Sequence, residues 1–274
     1  MNPVTSFIKR YPQVVFWVIA WATSFFGFYM RALYPSDLWG FFVWGSFVGG
    51  ALVTGIADGR GGLKTYFNRI VRWRVGIQWY AVALFLPLAL RLAAFGLNIA
   101  SGATVASNPQ MPAWGDLIFD VVIIFFFIAL GEEPGFRGFA LPRLLIARSA
   151  LAASLILGVL HTIWHLPLFI TGEDPAITTT LIILSGSILI TWLFNHARGS
   201  VLIIMILHTS VNFWGDIFRP LFTGPDVMKQ EIWLTVAYVG AAVLLALVAG
   251  RELGRKPAAE AETRVVAEQP LAVK

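Results

Sequence analysis

Eight apolar stretches, each near the roughly 20 residues that an α-helix needs to cross a hydrocarbon core, leave this chain few folds to choose from. They run about Val14 to Met30, Leu38 to Ala57, Val75 to Leu90, Leu117 into the segment GEEPGFRGFA, Ala150 to Ile170, Ala176 to Asn195, Ser200 to Trp214 and Ile232 to Ala249. Only 13% of the 274 residues are charged, where soluble domains carry roughly 25%. The mean hydropathy of +0.75 points the same way. The predicted fold class is all-α, a polytopic membrane protein of about eight transmembrane helices. One membrane domain is expected over residues 1–250, with a disordered cytoplasmic tail over 251–274, where Arg, Lys and Glu mix with Ala and Pro and show no apolar period.

Basic residues set the expected orientation. Alternating the loops gathers Lys9, Arg10, Arg60, Lys64, Arg69, Arg72, Arg74, Arg143, Arg148, Arg198, Arg251, Arg255 and Lys256 on one side. Cytoplasmic loops are the ones enriched in Lys and Arg, so both termini are expected to face inward, most simply in a plasma membrane. The opposite loops hold the acidic pairs Glu173/Asp174 and Asp216/Asp226. A net charge of +5 spread among apolar stretches fits contact with anionic lipid and argues against nucleic acid as a partner. The start, MNPVTSFIKRYPQ, leads into a stretch long enough to span and lacks an A-x-A-like cleavage site, which argues against a cleaved signal. GGLKTYFNRIVRWRVG interleaves basic and aromatic residues as an interfacial amphipathic helix would, and Gly45 and Gly49 form a GxxxG suited to close helix packing. With no cysteine, disulfides and thiolate metal sites are excluded.

Within this apolar background, a few polar residues need a reason. Charge at membrane depth is costly, so intramembrane Glu, Arg and His are functional candidates. Glu132 and Glu133 are neighbours, hence about 100° apart around a helix, and cannot share one partner. Glu133 precedes Arg137 by four residues, the acid-first order that favours a salt bridge, so this pair is expected to brace the site. Glu132 has no such cation nearby in sequence and is the freer carboxylate, fitted for a general base. His161 and His165 lie four apart on the fifth span, and His208 and Asn212 four apart on the seventh.

Depth arithmetic brings these groups together. If the fourth and fifth helices turn near Arg148, Glu132 and His165 both lie about 25 Å from the turn. His208 is about 15 Å from its own turn near Arg198, so alignment requires the fourth-fifth hairpin to protrude about 10 Å farther. Pro134 and Pro142 are expected to kink or interrupt the fourth helix. A carboxylate, imidazoles and an amide converging in a wet cavity suit hydrolysis. Glu132 would take a proton from water that His165 helps to orient, while His208 and Asn212 donate to an oxyanion. This version requires no cofactor. In a metal version Glu132, His165 and His208 would ligate zinc, and the sequence does not separate the two. The chain lacks H-E-x-x-H, G-x-S-G and G-x-G-D, which disfavours zincin, serine and aspartyl intramembrane proteolysis.

Glu132-Glu133-x-x-x-Arg137-Gly138, then Trp164-His165-Leu166-Pro167, then His208-x-x-x-Asn212 resembles the CAAX protease and bacteriocin-processing family of intramembrane endopeptidases. The resemblance covers about residues 117–212. It implies a CAAX-protease-like bundle, Glu132 as the water-activating residue with His165 beside it, and His208/Asn212 as the oxyanion pair. One position departs from the pattern: four before the second-motif histidine the family is usually aromatic, and here stands His161, read as a packing or hydrogen-bonding substitute in preference to an extra ligand. The expected function is an endopeptidase acting near the cytoplasmic face on a membrane-associated peptide or protein, with substrate and oligomeric state open. A non-proteolytic immunity or scaffold protein is the alternative. A transporter is weaker, since inverted repeats would be expected and none is found.

Overall fold

The computed structural model describes residues 2–255. Among them the chain is helical throughout, in the order α1 (Pro3–Arg10), α2 (Pro12–Leu33), a 3-10 turn (Asp37–Trp44), α3 (Gly45–Ile70), α4 (Ile77–Ala100), α5 (Trp114–Ala147), α6 (Ala150–Trp164), α7 (Leu166–Thr171), α8 (Ala176–His196), α9 (Val201–Phe218) and α10 (Pro225–Ala249). Seven helical stretches are long and apolar enough to cross a membrane, and α6 is a shorter apolar helix that α7 extends. Each of the eight expected spans coincides with one of these. The protein is an all-α, integral, multi-pass membrane protein.

The second span and the segment after it form a hairpin. Gly59 sits at φ 68° and ψ −157°, backbone that glycine alone adopts readily, and there α3 reverses. Its returning arm lies back along the first half, where the buried Tyr66 hydroxyl donates to the Phe47 carbonyl at 2.9 Å. The expected amphipathic helix is therefore helical only to Ile70, and it turns Tyr66 and Ile70 into the protein while Phe67, Val71 and Trp73 stay exposed. Gly45 and Gly49 pack as anticipated. A Cβ on Gly45 would collide with Thr23, and one on Gly49 would press on Ile19, so α2 and α3 approach closely.

The fourth span runs from Trp114 to Ala147 without a break, but two of its turns are widened. Leu130 N–H donates to Phe125 O and Leu141 N–H to Phe136 O, each five residues back, in π-helical stretches Ile124–Ala129 and Pro134–Ala140. Pro134 lacks an N–H to give, so the ladder changes register there instead of breaking. Such wide turns flank Leu130–Glu133 on both sides. Gly135 meets the backbone of Ser46 so closely that no Cβ would fit, which seats α5 on α3.

α9 is fastened by Ser210 and Trp214 to α4, one turn before Pro87, which lies inside that helix. Both donate to the Leu84 carbonyl, at 2.7 and 3.1 Å. The α5-α6 hairpin does protrude. Gly138 lies level with Val201 at the start of α9, and nine residues, about 13 Å, remain to the end of α5. At the hairpin's end, Leu151 N–H donates to Arg251 O at 2.9 Å and Leu253 is fully buried. The remaining tail residues, 256–274, lie outside the described residues.

Candidate active site

Each polar group expected at the site arrives from a different local device. The wide turns of α5 bury Glu132, Glu133 and Arg137, all at most 5% exposed. α6 stops at Trp164 because Pro167, in the first turn of α7, has no N–H to give to the carbonyl of Ile163, so His165 sits in the joint at φ −80°, ψ −5°. α9 supplies His208 and Asn212 one turn apart. All of these, with His161, line one cavity of about 730 Å3. Its remaining wall is largely apolar and includes Phe28, Phe41, Leu86, Leu90, Phe127 and Ile182.

Glu133 is the hub of the floor. Its carboxylate accepts from the Arg137 guanidinium at 3.0–3.1 Å and from His208 Nδ1 at 2.7 Å. The brace expected with Arg137 is present, and it extends to His208, which the sequence did not indicate. With Nδ1 committed, His208 has only Nε2 left for a substrate. A ring that donates from Nε2 as well carries a positive charge, and two carboxylates, one guanidinium and one imidazolium then sum to zero. That neutrality is what a low-dielectric site requires.

Glu132 has no hydrogen-bond partner among the described residues. Its nearest cationic candidate is His161 Nε2 at 3.8 Å, too far for a direct bond. Both ring nitrogens of His161 are buried without partners, and the ring packs 4.5 Å from Phe136 and 5.1 Å from His165, centre to centre. His161 thus occupies an aromatic position as an aromatic ring. Asn212 gives one amide hydrogen to His208 O at 3.1 Å, which leaves its second hydrogen available.

Asp174 completes the set and was missed from sequence. His165 Nδ1 donates to Asp174 Oδ2 at 3.2 Å, which fixes the tautomer and presents Nε2 to the cavity. Asp174 was visible only as half of an acidic pair in a loop. Its proximity to His165 depends on the tight α7 turn, which closes through left-handed Gly172 (φ 77°) and through Asp174 N–H donating to Leu168 O. Glu173, its neighbour, pairs with Arg31 on the cavity rim.

Among the described residues no three His, Asp or Glu side chains are grouped so as to hold a metal ion. His165 and His208 each hold a carboxylate through Nδ1, which leaves Nε2 of both rings toward the cavity.

The cavity reaches the surface at Arg31, Gly40 and Phe41, the end of the bundle that carries Glu173. Toward the basic loops it is closed by Phe136, Phe139, Leu141, Val201 and Ile204, all without exposure.

The family model for type II CAAX prenyl endopeptidase Rce1-like proteins matches residues 114–214, the stretch that supplies every group on the cavity floor. Over that stretch the chain is similar to the CAAX protease and bacteriocin-processing family. It is similar to CAAX prenyl protease 2 of Methanococcus maripaludis, 24% identical over 211 residues, which cover 71% of this chain and 74% of that protein.

Proposed function

We propose that the protein is an intramembrane endopeptidase that hydrolyses peptide bonds of membrane-associated substrates with water activated by Glu132. The observation that carries this reading is a buried carboxylate, Glu132, with no hydrogen-bond partner at the floor of an otherwise apolar cavity, beside the Glu133-Arg137-His208 cluster, whose net positive charge with a charged His208 it offsets. Glu132 takes a proton from water as the water oxygen attacks the carbonyl carbon. His165 Nε2, held by Asp174 through Nδ1, orients that water. The resulting oxyanion receives hydrogen bonds from His208 Nε2 and the second amide hydrogen of Asn212. Glu132 then returns its proton to the departing amine, which restores the carboxylate.

The greasy wall supports a substrate that brings its own apolar or lipid-modified residue, which would lie against Phe41, Phe127 and Ile182 while the peptide reaches the floor. The charge of the basic loops supports a cytoplasmic side for them and for both termini, in a plasma membrane.

The deciding experiment measures activity on a membrane-anchored peptide together with metal content, before and after chelation, in the wild type and Glu132→Gln. The expected result is activity retained in metal-free protein and lowered about 10²–10⁴-fold by the substitution, with the protein still folded. Activity lost on chelation and restored by zinc would remove the metal-free mechanism. Undiminished biological activity in Glu132→Gln would remove the enzyme reading in favour of a scaffold.

A further inference from the structure

The floor of the cavity lies midway through the bundle. Trp21 Nε1 donates to Leu160 O, next to His161, at 3.1 Å, and this marks the depth of the site on α2. From Trp21 the helix continues for nine residues down to Pro12 and ten up to Arg31, about 14 and 15 Å. The only α2 side chains that line the cavity, Phe28 and Arg31, belong to the upper half. α8 repeats the asymmetry. Its lining residues run from Thr179 to Ile190, and the turn and a half that ends at His196 contributes none.

The two ends of the bundle differ as strongly in charge. At the closed end Arg72 donates to Arg198 O, Arg143 pairs with Asp58, and Arg69 donates to Gly138 O at 3.1 Å, so the basic loops far apart in sequence share one face. At the open end Arg31, Arg219 and Lys229 each face a carboxylate, and Arg91 lies among Asp216, Arg219 and Glu231. Loops rich in Lys and Arg stay in the cytoplasm, and the closed end carries far more of both. The open end is then the extracytoplasmic one.

We propose that peptides reach Glu132 from the extracytoplasmic half of the bilayer. This rests on the peptidase reading above and narrows its substrate class: a membrane-inserted or lipid-anchored peptide whose scissile bond is displayed on the outer side, and not a chain terminus exposed to the cytoplasm. The route passes between the 3-10 turn, where Gly40 and Phe41 are exposed, and the start of α8 at Thr179. The rim ion pair Arg31–Glu173 flanks it, so a substrate backbone entering there meets polar groups before the apolar wall.

The absence of cysteine makes the test direct, because single-cysteine variants need no cleared background. Gly40→Cys places a thiol on the rim, where a Cβ meets nothing within 4 Å. Asn108→Cys marks the exposed α4-α5 loop at the same end, and Arg60→Cys the exposed α3 turn at the other. Intact cells are treated with a membrane-impermeant maleimide. Labelling of Gly40→Cys and Asn108→Cys in intact cells, with Arg60→Cys labelled only after disruption, is the expected pattern, and the reverse pattern overturns the inference. In parallel, a lipid-anchored quenched peptide is added to right-side-out and inside-out vesicles. Cleavage is expected in the first alone, and maleimide on Gly40→Cys but not on Asn108→Cys should block it. Cleavage in inside-out vesicles alone also overturns the inference. A peptide left uncut in both orientations, with labelling as expected, instead removes the peptidase reading and its substrate class, while the labelling still decides which side the cavity opens to.

Discussion

Glu133 carries the sharpest energetic prediction. It is 1% exposed and faces an arginine side chain that is 2% exposed, with 3.0 Å between the charged atoms. Glu133→Gln keeps the shape and the acceptor for His208 but strands the guanidinium. Arg137→Met keeps much of the side-chain volume but strands the carboxylate. Each single change breaks a buried pair and is expected to cost about 3–5 kcal/mol, most of it the penalty for the charge left behind. The double variant strands neither charge of the pair, so its cost should fall short of the two singles combined by at least about 2 kcal/mol. Unfolding by SDS titration of the four proteins in mixed micelles measures the cycle. Singles that add within about 0.5 kcal/mol in the double variant would show that the pair is not coupled, and the charge-balanced floor would lose its basis. Glu132→Gln serves as the control. That carboxylate has no hydrogen-bonded partner to strand, and its removal should shift the unfolding midpoint much less than either change in the pair.

Three further outcomes follow from the geometry. Asn212→Ala should lower kcat by about 10²–10³-fold with KM little changed, since an oxyanion donor acts only in the transition state; an equal rise in KM alone would contradict that role. Asp174→Asn should lower kcat about tenfold through loss of one charge-assisted hydrogen bond to His165, with Asp174→Glu restoring part of it and the thermal transition unmoved in both. Gly135→Ala should destabilise by about 1–3 kcal/mol in the same titration, because its Cβ would strike the Ser46 backbone, whereas Gly138→Ala, whose nearest contacts are at 3.4 Å, should be tolerated.

The eight spans and the sidedness of the basic loops were legible because both are long-range averages. Twenty apolar residues or a cluster of arginines survive any local detail. The meeting of Glu132, His165 and His208 was legible for a related reason: depth along a helix scales with residue count, and the errors of a few residues stay below one turn. What failed to show were features that depend on one residue's backbone. Gly59 reverses α3 through a conformation that nothing in the surrounding pattern announces. Asp174 reaches His165 only because Gly172 takes a left-handed turn. Pro134 reads as a break, yet the helix absorbs it by widening.

That widening also explains how one short segment serves two purposes. In a regular α-helix Glu132 and Glu133 would point about 100° apart, with the turns above and below dictating which of them meets a neighbour. The π-helical stretches on either side shift the hydrogen-bond ladder by one residue each, so the four residues Leu130–Glu133 are rotated independently of the apolar run before them and the glycine-rich packing face after them. Gly135 can then lie against α3 while Glu133 turns to Arg137 and His208, and Glu132 is left facing the cavity with no partner. A proline that simply ended the helix would have exposed polar backbone at membrane depth, where each unsatisfied group costs several kcal/mol. The widened ladder keeps those groups bonded and still re-aims the carboxylates, which is why the residue that looks like a defect in the sequence directly follows the Glu132-Glu133 pair.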